Sequence, residues 1–425
     1  MMLTDTPHGK NRTITLSSLV FVFLLIYISD TTVFMRTLNG TIAAFRKGFV
    51  IVGMLIGLLL FFGRKMKMRR MEFFWLMIMS VGVMISGLIN NENMNGIIVF
   101  ISQSVFLFCV CRLFSYERFC KNYVFLMRII SAVSIVVYLI VQANPLFGYS
   151  LPRMESASST ELTTLNWGTL LFTNVPLNAS QAWQVRNFGP FWEPGAFATH
   201  LNLSLYIALF EQKDNPRRML DVMLFIFALA TTLSSGGIIA ACALLATFVL
   251  SSDAGRKSKG LKIAVIVLAG IAAYYLIYIN TSFMDLIAER FDTSSYNGSF
   301  DSRFYSILGG IYVFCNNFFF GAGLTNVDSA ISRFYMEIAG GTASMIHNTN
   351  TLINYFATGG VFMGVIQCIA WKRAMLRGEK IRGVVSIFLL VSCFLMLSNE
   401  DMTRSMVFIL FPLYTLFDAR GESNE

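Results

Sequence analysis

An arginine, an acid and several glycines stand together in Arg186-Asn-Phe-Gly-Pro-Phe-Trp-Glu-Pro-Gly-Ala-Phe197. The stretch directly precedes about eighteen mostly apolar residues, close to the length of a membrane span. Pro194 suits the first helical turn, where its missing N–H costs nothing, so a helix is predicted to open there. Glu193 then sits at or just before the cap, with Arg186 one short loop upstream. The unpaired N–H groups and partial positive charge of a helix start favour a phosphate or diphosphate. Gly189 and Gly195 let backbone approach a ligand closely. A plain capped helix with Arg186 paired to Glu193 accounts for the same residues.

A second cluster is Ser-Met-Ile-His347-Asn348-Thr-Asn350, which precedes a further apolar run containing Gly359-Gly360. A histidine at a membrane surface can serve as general base near neutral pH, and Asn348 can orient it or bind a sugar hydroxyl. A solvated polar pair is the plainer reading. Upstream lie Arg290, Asp301-Ser-Arg303 and Gly321-Ala-Gly323. The guanidinium fork is planar, always charged and bidentate, which suits a diphosphate; the aqueous face of a loop or contact with lipid headgroups would equally place arginines there. The pair Gly321 and Gly323 stops short of a phosphate-loop or dinucleotide fingerprint. His200 and Asn202 either line a polar cavity or pack between helices. Small-residue helix packing suffices for Thr231-Thr-Leu-Ser-Ser-Gly-Gly237.

The elements that must position these residues follow from composition. Of 425 residues, 55% are hydrophobic and only 13% charged, about half the charged share of a soluble domain. Lipid is therefore the expected solvent, and continuous rather than alternating apolar runs exclude a lipid-facing barrel. The formal charge of +9 comes from short basic blocks between apolar runs, a topology signal and not a nucleic-acid footprint. The seven cysteines show no CxxC or ligand spacing, so neither a metal site nor a disulfide framework is expected. The first apolar run follows Lys10 and Arg12 but lacks a small-residue cleavage site, which predicts an uncleaved first helix.

Apolar runs fall at 13–30, 45–62, 72–89, 96–113, 123–142, 195–212, 219–233, 235–251, 263–280, 351–371, 383–398 and 405–418. This predicts an all-α polytopic membrane protein, a single domain over 1–425 with about twelve transmembrane helices. Arg64 to Arg70 marks a cytoplasmic loop, and alternation puts the basic loops at 112–121, 213–218, 256–262 and 372–382 on the same side, with both termini. Arg128 is left within a span. Two long periplasmic segments result, 143–194 and 281–350. Phe304, Ile307, Leu308, Ile311, Phe314 and Phe318 follow helical spacing, so 304–320 is expected as an interfacial or partly buried helix opening near Asp301 or Ser302. Counting it as a span would put the basic loop at 372–382 outside. No repeat suggests the inverted halves of many transporters.

Taken in order, these clusters resemble the O-antigen ligase and Wzy-type polymerase superfamily. The resemblance rests on Arg186 with Gly-Pro-Phe-Trp-Glu-Pro-Gly195, the Ser-Ser-Gly-Gly turn at 234–237, Arg303 with Gly321-Ala-Gly323, and His347-Asn348 before a Gly-Gly helix. It covers 186–365, while the first five spans match in hydropathy alone. It implies a GT-C-like, metal-independent glycosyltransferase without cofactors, working on the periplasmic face of a bacterial inner membrane. Donor and acceptor would be glycans on undecaprenyl diphosphate, held among membrane lipid, with a chain-length regulator protein as a further partner and no nucleic acid. On this resemblance Arg186 and Arg303 neutralise the diphosphate leaving group, and Arg290, Asn348, Trp192, Gly195, Gly321 and Gly323 belong to the substrate site. His347 orients or deprotonates the acceptor hydroxyl, with Glu193 the competing base. An Arg-x10-Gly pattern described for some polymerase loops is missing from the outer arginines. The Phe-Trp-Glu-Pro-Gly form favours a polymerase over a ligase. A lipid-linked sugar flippase, which should line a path across both leaflets, is the third reading.

Overall fold

The computed structural model describes residues 16–29, 31–35, 40–157, 163–169, 171–174, 176–178, 182–183, 186–212, 215–251, 299–339, 349–377 and 383–417. Helices α1 (Leu16–Tyr27), α2 (Gly40–Gly63), α3 (Arg70–Ile89), α4 (Met94–Leu113) and α5 (Tyr116–Ala143) cover the first five apolar runs. A short α6 (Pro145–Tyr149) then leads into the first long segment. The next run is α7 (Pro194–Tyr206), extended by a π-helical turn over Ile207–Glu211. The remaining helices are α8 (Arg218–Thr232), α9 (Ser235–Ser251), α10 (Ser299–Asn316), α11 (Val327–Ala339), α12 (Thr351–Met375), α13 (Val384–Leu397) and α14 (Met406–Phe417). The run at 263–280 lies outside the described residues; each of the others coincides with a helix.

The chain is a multi-pass membrane protein. Five described helices, α2 to α5 and α12, are long and apolar enough to cross a bilayer, and α1, α9, α10, α13 and α14 are shorter apolar helices. α2 exposes Leu55, Leu59 and Phe62, as a helix solvated by lipid does. α7 is the opposite case: every residue from Pro194 to Tyr206 is buried. It runs through the centre of the bundle against α5, α8, α9 and α13. Around it Tyr206 stacks on Phe210 and meets Phe411 edge-on, and Trp371 packs on Phe408 and Phe411.

The described basic loops share one end of the bundle. There Arg112 pairs with buried Glu72 at 3.2 Å and donates to the Lys67 carbonyl. Gln212 Nε2 reaches the Cys120 carbonyl at 3.1 Å, and Arg377 lies 4.1 Å above the Tyr116 ring. Arg128, the basic residue expected within a span, is held by Asp221 of α8 through Nε–Oδ1 at 2.5 Å and Nη2–Oδ2 at 2.8 Å. Asp221 is 1% exposed, so the ions neutralise each other inside the bundle.

The all-α expectation describes the bundle, and the first long segment adds two small antiparallel sheets. In one, β1 (Arg153–Ala157) pairs with β2 (Thr163–Thr169) in the register Glu155↔Leu165, and β2 pairs with β3 (Phe172–Asn174). In the other, β4 (Pro176–Asn178) pairs with β5 (Ala182–Trp183). Phe172 anchors the first sheet on Tyr138 and Val141 of α5. The amphipathic helix expected at 304–320 is present as α10, opening at Ser299 rather than near Asp301. Its Leu308 and Ile311 are exposed, while Gly309 abuts Ile331 and Phe334 of α11.

Candidate active site

The stretch from Arg186 to Phe197 is tied down by segments far apart in the chain. Val33 N–H donates to the Pro190 carbonyl and Trp192 N–H to that of Thr31, both at 3.2 Å, so the exit from α1 pairs with it like a strand. Thr173 Oγ1 donates to the Phe191 carbonyl at 2.9 Å. Asn187 N–H reaches the Thr231 carbonyl at 2.9 Å, and Arg186 Nε that of Thr232 at 3.0 Å. These last two satisfy carbonyls at the end of α8, which turns into α9 through the left-handed Leu233 (φ 52°). As the spacing predicts, α7 opens at Pro194 with Glu193 as N-cap residue, and the Glu193 side chain makes no capping bond. Trp192 and Glu193 are half-buried.

The turn between α13 and α14, Asn399-Glu-Asp-Met-Thr-Arg404, closes on the same place. Asn399 Nδ2 donates to the Gly195 carbonyl at 2.6 Å and to Thr199 Oγ1 at 3.2 Å, while its Oδ1 accepts from Ser234 Oγ at 3.0 Å. Thr351 Oγ1 donates to the Glu400 carbonyl at 2.8 Å, and Asn350 Nδ2 to Ser398 Oγ at 2.6 Å. Asn350 also caps α12, accepting from Ile353 N–H at 3.0 Å, a bond worth about 1 kcal/mol. The starts of α7, α9 and α12 thus converge on one polar turn. Glu400 lies so close to α7 that a Cβ on Gly195 would stand 2.5 Å from its Oε1; here glycine is needed for close approach. Asp401 accepts from Asn354 Nδ2 at 2.8 Å and Thr403 N–H at 2.9 Å. Burial raises its carboxyl above the ordinary range, against the opposing pull of the Thr403 bonds.

Gly321 and Gly323 serve a different junction. α12 breaks at Gly360, and the freed carbonyls of Ala357 and Thr358 accept from Ala322 and Gly323 N–H at 2.8 and 3.0 Å. Val361 N–H returns a bond to the Phe318 carbonyl at 2.8 Å. Gly321 adopts φ +67°, and a Cβ there would overlap the Thr358 carbonyl. Glu92, from the turn between α3 and α4, accepts from Thr325 N–H at 2.5 Å and Thr325 Oγ1 at 2.9 Å. These contacts commit the N–H groups of residues 322 and 323 to α12 and give the glycines a packing role.

Among the sequence-predicted site residues, Arg186, Trp192, Glu193 and Gly195 stand together at the mouth of α7. Arg303 belongs to α10 by its backbone. Arg290, His347 and Asn348 lie outside the described residues. His200 is a buried core residue: its Nδ1 is 2.9 Å from Tyr123 Oη, and its ring stacks on Phe191 at 4.3 Å and meets Phe408 edge-on. Asn202 likewise packs between helices, donating to the carbonyls of Ala198 and Gly237 at 2.9 Å. Sequence reading passed over Asn399, Glu400 and Asp401, although an Asn-Glu-Asp run between two adjoining apolar runs is itself a signal. Among the described residues no three His, Cys, Asp or Glu side chains group as metal ligands do.

Residues 221–368 match a protein-family model described as O-antigen ligase. The match, over residues 221–368 of 425, supports a relation of this part of the chain to the O-antigen polymerase and ligase superfamily. The matched residues run from α8 through the Ser-Ser-Gly-Gly turn, α10, the Gly321 junction and much of α12; they contain Arg303 and His347 but neither Arg186 nor Glu193. No curated protein matches the chain. The match supports a ligase- or polymerase-type membrane function in polysaccharide biosynthesis. The mouth of α7 has the parts such chemistry needs: a guanidinium, carboxylates and an aromatic ring, with the backbone between them pinned.

Proposed function

We propose that this protein is a metal-independent, GT-C-like glycosyltransferase that polymerises undecaprenyl-diphosphate-linked oligosaccharide repeat units on the periplasmic face of a bacterial inner membrane. The observation that carries this reading is the convergence of Arg186, Trp192, Glu193 and Gly195 with the starts of α9 and α12, elements inside the matched residues, at the end opposite the basic loops. By the positive-inside rule that end faces the periplasm. Arg186 and Arg303 neutralise the charge developing on the diphosphate, and His347 orients or deprotonates the acceptor hydroxyl. The growing chain leaves its carrier and joins the next lipid-linked unit.

A ligase that moves the polymer to the lipid A core is the second reading, favoured by the description of the matching family. Deleting the gene and running the surface polysaccharide on a gel separates them. Cores bearing a single repeat unit are the expected result, whereas bare cores with polymer still on the carrier would establish the ligase. Units stranded on cytosolic-facing carrier would instead reveal a flippase. Arg186→Ala, Arg303→Ala and His347→Ala should each abolish chain extension at unchanged protein level. Near-normal ladders from all three would remove these site assignments.

A further inference from the structure

Asn187, the neighbour of Arg186, is 0% exposed, and both ends of its side-chain amide are bonded. Its Oδ1 accepts from Gly189 N–H at 2.9 Å, closing the turn in which Gly189 takes φ +54°. Its Nδ2 donates to Thr231 Oγ1 of α8 at 3.0 Å and to Ser134 Oγ of α5 at 3.3 Å. Each of these hydroxyls already donates its one hydrogen, Thr231 to the Ala228 carbonyl and Ser134 to the Ser131 carbonyl. Toward Asn187 they can therefore only accept, which assigns the two ends of the amide. An aspartate here would set a carboxylate oxygen against two lone pairs. The turn at Gly189 needs only an acceptor, so the two donor bonds to α5 and α8 serve something else. The main chain carries their constraint to Arg186. Asn187 N–H and Arg186 Nε bond the adjacent carbonyls of Thr231 and Thr232, which end α8 without helical partners. Half-buried Arg186, outside the family match, is thus registered at two consecutive residues against a helix inside it.

We propose that Asn187 is a positioning residue that holds the guanidinium of Arg186 where the diphosphate departs. This rests on the glycosyl-transfer reading above, in which Arg186 neutralises that group. Being buried, Asn187 acts through its neighbour and not on the substrate. Its amide ties the backbone of Arg186 to α5 and α8 together, and the Arg186 Nε bond then sets the plane of the guanidinium. A planar fork depends on such registration, because it matches a phosphate only in one orientation. A misplacement of about 1 Å can cost about 10²-fold in rate.

The test uses the purified full chain in lipid nanodiscs, supplied with synthetic undecaprenyl-diphosphate-linked repeat units. Failure of the wild-type protein to join two units would remove the polymerase reading, and near-normal turnover of Arg186→Ala would remove the role of Arg186; either takes this proposal with it. Past those controls, Asn187→Ala and Asn187→Asp should each lower kcat by about 10–100-fold. Arg186→Lys keeps the charge but gives up the fork, so there is no longer a fork to aim. In that background Asn187→Ala should lower kcat by less than about twofold more, whereas a merely structural role would multiply the two losses. Should Asn187→Ala not reach the membrane, Thr231→Val decides the matter. It removes one acceptor of the amide and should lower kcat about fivefold in the wild type and by less than about twofold beside Arg186→Lys. Turnover of Asn187→Asp within about threefold of wild type, or losses that multiply with Arg186→Lys, would overturn the proposal.

Discussion

The two ends of the bundle are built on different plans. At the basic end Lys121–Glu117 and Arg112–Glu72 pair within one helix or between adjoining helices, beside a few longer reaches such as Gln212 to the Cys120 carbonyl. At the other end, buried amides and hydroxyls join segments far apart: Asn399 to Gly195, Ser234 to Asn399, Thr325 to Glu92. Loosely held charge is enough to set orientation in a membrane, because the positive-inside rule counts residues and not contacts. A reaction site needs groups held to a fraction of an ångström. The dense network therefore marks the end where chemistry is to be expected.

Substitutions can break or sharpen this contrast. The largest effect should come from the exception at the basic half, Arg128. Arg128→Ala leaves Asp221 buried and uncompensated and should cost about 3–5 kcal/mol, read as a lowered unfolding temperature in detergent. Replacing both partners by apolar residues should recover most of that loss. Gly321→Ala forces a side chain into the Thr358 carbonyl at a positive φ and should cost about 3 kcal/mol, seen as a fall in membrane-inserted protein. Asn399→Ala strips partners from Ser234 and the Gly195 carbonyl. A loss of about 1–3 kcal/mol is expected, together with slower glycosyl transfer. Lys121→Ala removes only a surface pair spaced i, i+4 and should change stability by about 0.3–0.5 kcal/mol; an effect as large as that of Asn399→Ala would erase the distinction between the ends.

Hydropathy carried much of the bundle, because a run long enough to span must be helical in lipid. The opening of α7 was equally readable, since Pro194 after Glu193 leaves few other places to begin. The break in α12 was not, because Gly359-Gly360 sits within an apolar run and becomes a kink only when Ala322 and Gly323 take up the freed carbonyls. The strands at 153–183 escaped notice for want of clear alternation. Asn399 and Glu400 were missed for a related reason. Their importance lies in reaching Gly195, 204 residues earlier in the chain for Asn399, and no local pattern reports such a partner.

The burial of α7 has a consequence for how the protein is made. A helix with no face left over for lipid cannot rest in its final setting while its neighbours are still on the ribosome. α13 packs on it, and α14 brings Phe408 against His200, yet α7 ends at Tyr206 while α13 begins only at Val384 and α14 at Met406. Until they insert, the Gly195 carbonyl lacks Asn399 and the mouth of α7 lacks Glu400. The site is thus completed only as the last helices are laid down, so a chain stopped short of them could enter the membrane with its motif in place and its chemistry unassembled.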